Sequence, residues 1–164
     1  MTLSLYTDAS THGHALGMAA VLVADGQEIG WRSSRAWGET YGACTAAELA
    51  AIALGVTMIR QTERHLVRLA VYSDSLTAIE ALLRLEPEHQ HFDLVRRILV
   101  LARQYAAVEW WWVRGHGEWQ FNHRAHRLAC GEMGVIRDLR QSRMERGNFS
   151  AGKSALGKVL ARWQ

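Results

Sequence analysis

Apolar residues along this chain are spaced mostly as in strands in its first part and as in helices later. Short apolar runs between polar turns predict strands, and apolar residues three or four positions apart predict helices. Asp25-Gly26 is a two-residue turn typical of a hairpin between the second and third strands. The predicted strands span residues 3–7, 18–24, 28–34, 67–73 and 108–113, and the predicted helices span 45–60, 75–83, a segment capped by Asp93, and 121–133.

The order of these elements predicts an α/β fold. Three successive strands form an antiparallel meander, and the helix that follows leads to a parallel strand through a crossover connection. The complete order βββαβααβα predicts a mixed five-stranded sheet with helices packed on it. With 164 residues, 49% of them hydrophobic, we expect one globular domain over residues 1–136 and a basic C-terminal extension over 137–164 with helical apolar spacing.

Charge is divided unevenly between these two parts. Residues 137–164 contain seven basic and two acidic side chains and carry a net charge of +5, although the whole chain carries only +3. The first 136 residues are therefore slightly acidic. A basic segment suits a polyanionic partner such as nucleic acid, and the apolar face of its terminal helix could dock on a protein partner. The alternative is a solvated terminal segment.

Other sequence signals exclude several classes of protein. Cys44 and Cys130 form no CxxC pattern, and we find neither a secretion signal nor an apolar run long enough to span a membrane. We expect a cytoplasmic protein with reduced thiols and no membrane partner. Residues 147–154 match the phosphate-loop pattern, but they follow a charged helix-like stretch instead of a strand, so we do not expect ATP binding.

Three carboxylates occupy positions where an ordinary core element needs no acid. Asp8 closes the first apolar strand, Glu48 interrupts an alanine-rich helix, and Asp74 closes the fourth strand. Carboxylate oxygens are the ligands that hard cations such as Mg²⁺ prefer. The three acids therefore indicate a divalent-metal site. The alternative is that Asp8 and Asp74 only cap turns and that Glu48 faces solvent.

A longer set of motifs resembles type 1 ribonuclease H over residues 1 to about 133. Each motif alone would be weak support, but together, in the family's order and at plausible separations, they argue against an accidental match. The matching features are Asp8, Glu48 in a Glu-x-x-Ala setting, Asp74 before Ser75, Val113-Arg114-Gly115-His116-Gly117, Asn122, and Arg124-Ala125-His126-Arg127-Leu128-Ala129.

The resemblance implies a ribonuclease H-like fold and an enzyme, a metal-dependent endonuclease that hydrolyses the RNA strand of RNA/DNA hybrids. It implies two divalent cations, Mg²⁺ or Mn²⁺, with Asp8 bridging both and with Glu48 and Asp74 completing the ion on the leaving-group side. Such cations acidify the attacking water and stabilise the charged phosphate. His116 would move protons and assist product release, unless it is only a surface histidine. The implied substrate contacts are Ser10, Thr11, Gly13, His14, Thr45 and Asn122.

The fourth acidic position departs from the family. The family usually reads Ala-Asp-x-Leu-Ala, whereas this chain has His126 where the Asp is expected. A neutral imidazole can bind a metal, but it suits Mn²⁺ or Zn²⁺ better than Mg²⁺. We therefore expect His126 to be a catalytic metal ligand and Mn²⁺ to be preferred. A zinc site made of His123, His126 and Cys130 on one helical face is not expected, because it lacks a partner segment.

Two alternatives to the hybrid endonuclease stay open. The loss of one carboxylate is compatible with a catalytically weak or inactive nucleic-acid-binding module of the same fold in a larger assembly. A structure-selective DNA nuclease is the other. Cys44, Thr45 and His14 stand where the family commonly has Asn in its substrate contacts. Nuclease chemistry is therefore predicted more firmly than selectivity for hybrids.

Tryptophan positions give a further expectation about packing. Trp110, Trp111 and Trp112 lie in the fifth predicted strand, and packing of helices on the sheet predicts that most of them belong to the core. Trp119, in the glycine-rich loop beside His116, and Trp37, in a polar loop, are candidates for stacking on nucleic acid bases.

Overall fold

In the part of the chain that the structure describes, five strands and four α-helices follow one another in the order that the hydrophobic pattern predicts. The computed structural model describes residues 1–12, 14–37, 43–115 and 119–144, and it describes residue 43 and residues 133–144 by their backbone alone. In chain order the elements are β1 Thr2–His12, β2 Ala15–Ala24, β3 Gln27–Trp37, α1 Ala43–Val56, β4 Arg68–Ser73, α2 Leu76–Arg84, α3 Phe92–Ala102, β5 Ala107–Trp112 and α4 Gln120–Met144.

The strands form one mixed sheet in the order β3-β2-β1-β4-β5. Strand β2 pairs antiparallel with β1 and with β3, whereas β4 pairs parallel with β1 and with β5. Asp25 and Gly26 both have positive φ, 49° and 75°, as a two-residue turn needs in order to follow the twist of the paired strands. The predicted meander, hairpin turn and mixed five-stranded sheet are confirmed.

Helices cover both faces of this sheet. Because neighbouring strand residues point to opposite faces, Leu5 belongs to the core beneath α1, α2 and α3, whereas Tyr6 belongs to a smaller core beneath α4. Helix α1 lies so close to β1 that a Cβ at Gly55 would be 2.6 Å from a Leu5 methyl carbon. This close packing fixes the height of α1 above β1.

Several boundaries differ from the predicted ones. Strand β1 continues to His12, because its pairing with β2 continues to that residue although its pairing with β4 ends at Thr7. Asp8 therefore lies inside β1, and the expectation that it closes the strand was wrong. The residue that caps α3 is His91, and Asp93 lies in the first turn of the helix instead.

Helix α4 continues eleven residues beyond its predicted end, from Met133 to Met144, and so enters the basic extension. The domain boundary at residue 136 stays a prediction. Residues 145–164, with the phosphate-loop pattern and the apolar face of the terminal helix, lie outside the described residues. No helix in the described part of the chain, α4 included, is long and apolar enough to cross a membrane.

Two of the three strand β5 tryptophans are exposed. Trp110 packs against the larger core, but Trp111 and Trp112 are 50% and 49% exposed. Strand β5 is at the edge of the sheet, and α4 packs mainly on β1, β2 and β3. The core expectation was therefore right for Trp110 and wrong for Trp111 and Trp112.

Candidate metal centre

Three carboxylates from distant parts of the chain meet at the end of the sheet where the parallel pairing of β1 with β4 stops. Asp8 comes from β1, Glu48 from α1, and Asp74 directly follows β4; one carboxylate oxygen from each lies within 4.8 Å of the others. The strand register explains the approach of two of them, because Thr7 pairs with Ser73 and the next residue of each segment is an acid. The structure thus brings together the three acids that the sequence singled out.

Glu48 is held in this cluster by its contact with β1. The Ala9 N–H donates a hydrogen bond to Glu48 Oε1 at 3.2 Å. Glu48 Oε2 is fully buried and has no hydrogen-bond partner within the described part of the chain. A buried carboxylate oxygen is costly unless a donor or a cation satisfies it. This oxygen, beside two further carboxylates, fits a bound divalent cation.

Burial and mutual repulsion raise the pKa values of the clustered acids. Burial, followed by the charge of Asp74, raises the pKa of Asp8 to about 6, although His126 and the Ala9 N–H act in the opposite direction. Burial, followed by the charges of Asp8 and Asp74, raises the pKa of Glu48 well above its usual value. Two acids perturbed in this way in one cluster are typical of a functional site. A divalent cation would counteract the repulsion between them.

The segment that carries Asp74 is fixed by its neighbours. Trp112 Nε1 donates a hydrogen bond to the Asp74 carbonyl oxygen at 3.0 Å. The Ser75 hydroxyl accepts a hydrogen bond from the Ala78 N–H and caps α2, as predicted. A Cβ at Gly115 would lie 2.8 Å from Asp74 Oδ2, so only glycine leaves that carboxylate its present position.

His126 reaches the cluster from α4. Its Nδ1 lies 2.6 Å from Asp8 Oδ2, and its side chain is 41% exposed. On the other side of the ring, Nε2 lies 3.5 Å from Cys130 Sγ, and this thiol donates a hydrogen bond to Ser10 Oγ at 3.5 Å. The structure places His126 beside the acids, and its role as a metal ligand stays a prediction.

The residues predicted to contact substrate lie in several places. Ser10 and Thr11 continue β1 beyond Asp8, and Thr45 lies in the first turn of α1. Thr11 Oγ1 is 3.6 Å from Cys44 Sγ, so the end of β1 and the start of α1 are neighbours. His14 is exposed in the turn after β1. Their roles stay predictions.

Asn122 differs from the other predicted contacts because it is 5% exposed. Its Oδ1 is buried and has no hydrogen-bond partner among the residues that the structure describes. Trp119 is 45% exposed, and its ring lies 5.9 Å from that of Tyr72 in a stacked arrangement. Gly13 and His116 lie outside the described residues.

Sequence reasoning missed the supporting roles of Gly115, Trp112 and Cys130. Gly115 stood in a motif that resembled the family, but nothing in the sequence indicated that it faces Asp74. Cys130 is four residues after His126, a spacing that places both on one helical face. That spacing was the one available signal for a contact between them.

Comparisons with known proteins agree with this architecture. No protein-family model and no curated protein matches the sequence. The structure is similar to the N-terminal RNase H domain of a Mycobacterium tuberculosis protein, solved as a fusion with maltose-binding protein, with 20% identity and a TM-score of 0.70 over 85% of this chain and 98% of that one. The protein has the ribonuclease H fold.

A second ribonuclease H structure agrees with this result. LC11-RNase H1, isolated from compost by a metagenomic approach, has 15% identity to this chain and a TM-score of 0.69, with 82% of this chain and 97% of that chain covered. The ribonuclease H fold predicted from the sequence is therefore confirmed. On this fold, Asp8, Glu48 and Asp74 form an acidic site that can bind a metal ion.

Proposed function

We propose that this protein is a metal-dependent endonuclease that hydrolyses the RNA strand of RNA/DNA hybrids. The observation that carries the proposal is the meeting of Asp8, Glu48 and Asp74 within 4.8 Å on a ribonuclease H fold. The two similar structures are both named as RNase H proteins. The buried and unpartnered Glu48 Oε2 supports a cation in this cluster.

The chemistry divides between bound cations and the chain. Divalent cations, Mg²⁺ or Mn²⁺, supply charge that stabilises the phosphoryl group during attack and acidifies the attacking water. Asp8, Glu48 and Asp74 would hold them, and the Ala9 N–H orients Glu48. His126 would add a nitrogen ligand beside Asp8. Because imidazole replaces a carboxylate there, we expect Mn²⁺ to be more effective than Mg²⁺.

Nucleic acid would approach the end of the sheet where the three acids lie. Ser10 and Thr11 on β1 and Thr45 at the start of α1 carry hydroxyl groups near the acidic site. Such groups can donate to phosphate oxygens or to the 2′-hydroxyls that distinguish RNA from DNA. We therefore assign these three residues to substrate contacts. The resemblance to the family, and not a hydroxyl group, is the reason for including Gly13, His14 and the buried Asn122. His116 would assist proton transfer.

One observation favours a second candidate, a nucleic-acid-binding module with weak or no catalysis. His126 Nδ1 is in direct hydrogen-bond contact with Asp8 Oδ2. In this arrangement no space is left for a cation between the imidazole and the carboxylate. If this contact persists when Mg²⁺ or Mn²⁺ is present, the site holds fewer cations and the protein binds hybrids without rapid turnover.

The two candidates differ in metal-dependent cleavage of an end-labelled RNA/DNA hybrid. We expect the wild type to cleave the RNA strand, faster in Mn²⁺ than in Mg²⁺. Asp74→Asn should reduce the rate by about 100-fold or more and His126→Ala by roughly 10- to 100-fold. Asp25→Asn, in the exposed hairpin turn, is the matched carboxylate control and should cleave like the wild type.

Duplex RNA and duplex DNA are the substrate controls for this assay. Cleavage of duplex DNA at a rate similar to that of the hybrid would contradict the proposed specificity. Binding of the hybrid without cleavage in either cation would favour the binding module. Unchanged cleavage by His126→Ala would remove that residue from the catalytic site.

A further inference from the structure

Four side chains from β1 and α4 form a continuous chain of contacts at the metal centre. The Cys130 thiol donates to Ser10 Oγ at 3.5 Å, Cys130 Sγ lies 3.5 Å from His126 Nε2, and His126 Nδ1 lies 2.6 Å from Asp8 Oδ2. All three contacts are partly buried. The two ring nitrogens of His126 therefore face different groups, a carboxylate on one side and a thiol on the other.

A neutral imidazole carries a hydrogen on only one of its two nitrogens. Without a cation and with Asp8 ionised, the carboxylate can only accept, so the short contact requires that Nδ1 carry the hydrogen and donate it to Asp8. For Nδ1 to bind a cation beside Asp8, it must present its lone pair to the cation, and the hydrogen must then be on Nε2. The hydrogen on Nε2 then needs an acceptor.

We propose that Cys130 is a positioning residue that accepts the Nε2 hydrogen of His126 and so holds Nδ1 ready to bind a cation. The Cys130 thiol can do so because its own hydrogen is directed to Ser10 Oγ, which leaves the sulfur lone pairs to accept. A partner on the second ring nitrogen commonly fixes the tautomer and orientation of a metal-binding histidine. The inference rests on the proposed function only in placing a cation beside Asp8 and His126.

Cys130 lies where it can position His126, and not where it would bind the cation directly. Its sulfur is on the Nε2 side of the ring, whereas Asp8 is on the Nδ1 side. A thiol and a histidine four residues apart on one helix face the same way, so the helix holds the contact without help from a loop. Replacement of the thiol should therefore affect His126 more than it affects the fold.

Cation affinity provides the main test of this role. Titration calorimetry with Mn²⁺ on the full chain should show about tenfold weaker binding for Cys130→Ala than for the wild type. Cys130→Ser keeps a hydroxyl that can accept the same hydrogen and should stay within about threefold of the wild type. Melting temperatures without cation should not differ, because alanine suits a helix and the Nδ1 contact with Asp8 remains. Equal Mn²⁺ affinity of Cys130→Ala and wild type would overturn the proposal.

A double variant tests whether Cys130 acts through His126. In a His126→Ala background, Cys130→Ala should have no further effect on Mn²⁺ affinity, because the group that it positions is gone. An additional tenfold loss would show a separate role for the thiol and would contradict the proposal.

Two spectroscopic measurements separate positioning from direct ligation. Long-range proton–nitrogen NMR with Zn²⁺ should show the His126 hydrogen on Nε2, with exposed His123 on the same helix as an internal reference. A cation bound to Nε2 would overturn the proposal. An intense sulfur-to-metal charge-transfer band with Co²⁺ would also overturn it, because Cys130 would then be a ligand.

These outcomes can be distinguished from failure of the proposed function. If Cys130→Ala weakens Mn²⁺ binding but the wild type cleaves no hybrid, the positioning role holds and the nuclease proposal is wrong. If the wild type cleaves hybrids and Cys130→Ala binds Mn²⁺ normally, only the positioning role is wrong.

Discussion

Asp8 is a buried carboxylate that folding places beside two others. It is 3% exposed, and burial followed by the charge of Asp74 raises its pKa from 3.8 to about 6. Because this pKa is higher in the folded than in the unfolded chain, the folded state holds the proton more tightly. The resulting stabilisation is complete below about pH 4 and is lost as the pH rises through about 6. At neutral pH without a cation, ionised Asp8 therefore lowers the free energy of unfolding.

Asp8→Asn should consequently stabilise the cation-free protein at neutral pH. We expect its melting temperature to exceed that of the wild type by roughly 2–6 °C at about pH 7.5 in a chelator, and by much less at about pH 4.5, where the wild type still holds its proton. Differential scanning calorimetry at both pH values measures this difference. Asp25→Asn, in the exposed hairpin turn, is the control and should change the melting temperature at neither pH.

Addition of Mn²⁺ at about pH 7.5 should reverse the order of the two proteins. The wild type should gain stability because a cation binds only its folded state, and Asp8→Asn should gain much less. In the chelator, a melting temperature of Asp8→Asn that exceeds the wild type's by the same amount at about pH 4.5 and about pH 7.5 would show that the stabilisation does not come from the titration of Asp8.

At the scale of elements, the distance between α1 and β1 determines where Glu48 lies. Gly55 on α1 faces Leu5 on β1, and a Cβ there would be 2.6 Å from a Leu5 methyl carbon. Leu5 is completely buried, so it has little room to move. Glu48 is about two helical turns before Gly55, and any outward shift of α1 would carry it away from Asp8 and Asp74.

Gly55→Ala should therefore weaken both the fold and the metal centre. We expect a loss of about 1–3 kcal/mol of unfolding free energy from overpacking, measured by urea denaturation, together with weaker Mn²⁺ binding in calorimetry. Gly131→Ala on α4 is the matched control, because among the described residues nothing outside its own stretch of helix lies within 4 Å of its added Cβ. It should raise stability by up to about 1 kcal/mol and leave Mn²⁺ affinity unchanged. Normal Mn²⁺ affinity in Gly55→Ala would separate the position of Glu48 from the packing of α1.

Hydrophobic spacing was sufficient to predict which elements form and in what order. Spacing is a local property, so it located the strands and helices, and the Asp25-Gly26 turn is equally local. The end of β1 is not local, because it depends on how far β2 pairs with it. Asp8 was for this reason misplaced at the end of a strand. Exposure of Trp111 and Trp112 likewise depends on which strand lies at the edge of the sheet.

The three acids of the candidate site were predicted from the sequence, but the contacts that support them were not. Asp8, Glu48 and Asp74 were identified because buried elements rarely contain acids and because their motifs resemble a known family. Contacts that support them come from register and from the placement of helices on the sheet. The approach of Gly115 to Asp74 and of Cys130 to His126 required the three-dimensional structure.

At the scale of the whole molecule, positive charge is concentrated at the C-terminus. The acidic site belongs to a body that is slightly acidic, whereas residues 137–164 carry a net charge of +5. The proposed anionic substrate would therefore be attracted mainly by the extension and repelled by the acidic site until cations bind there. Affinity and catalysis are expected to depend on different parts of the chain.

Deletion of residues 145–164 should weaken hybrid binding and flatten its dependence on salt. This segment carries four basic side chains, Arg146, Lys153, Lys158 and Arg162. If each neutralises one phosphate, the slope of log affinity against log salt concentration should become less steep by about 3 to 4. Fluorescence anisotropy with a labelled hybrid in Ca²⁺ measures the slope. Replacement of the same four residues by Gln in the full-length chain is the control for chain length, and an unchanged slope in both proteins would exclude the segment from binding.

The contact between Asp8 and His126 joins residues that are 118 positions apart in the sequence. During synthesis, Asp8, Glu48 and Asp74 leave the ribosome well before α4. A nascent chain that lacks α4 has all three acids but leaves the second face of the sheet uncovered, with Tyr6, Val21 and Val23 open to water. Domains generally fold as units once their sequence is available. Arrival of α4 would therefore complete the hydrophobic layer over Tyr6, Val21 and Val23 and bring the imidazole to Asp8 in one event.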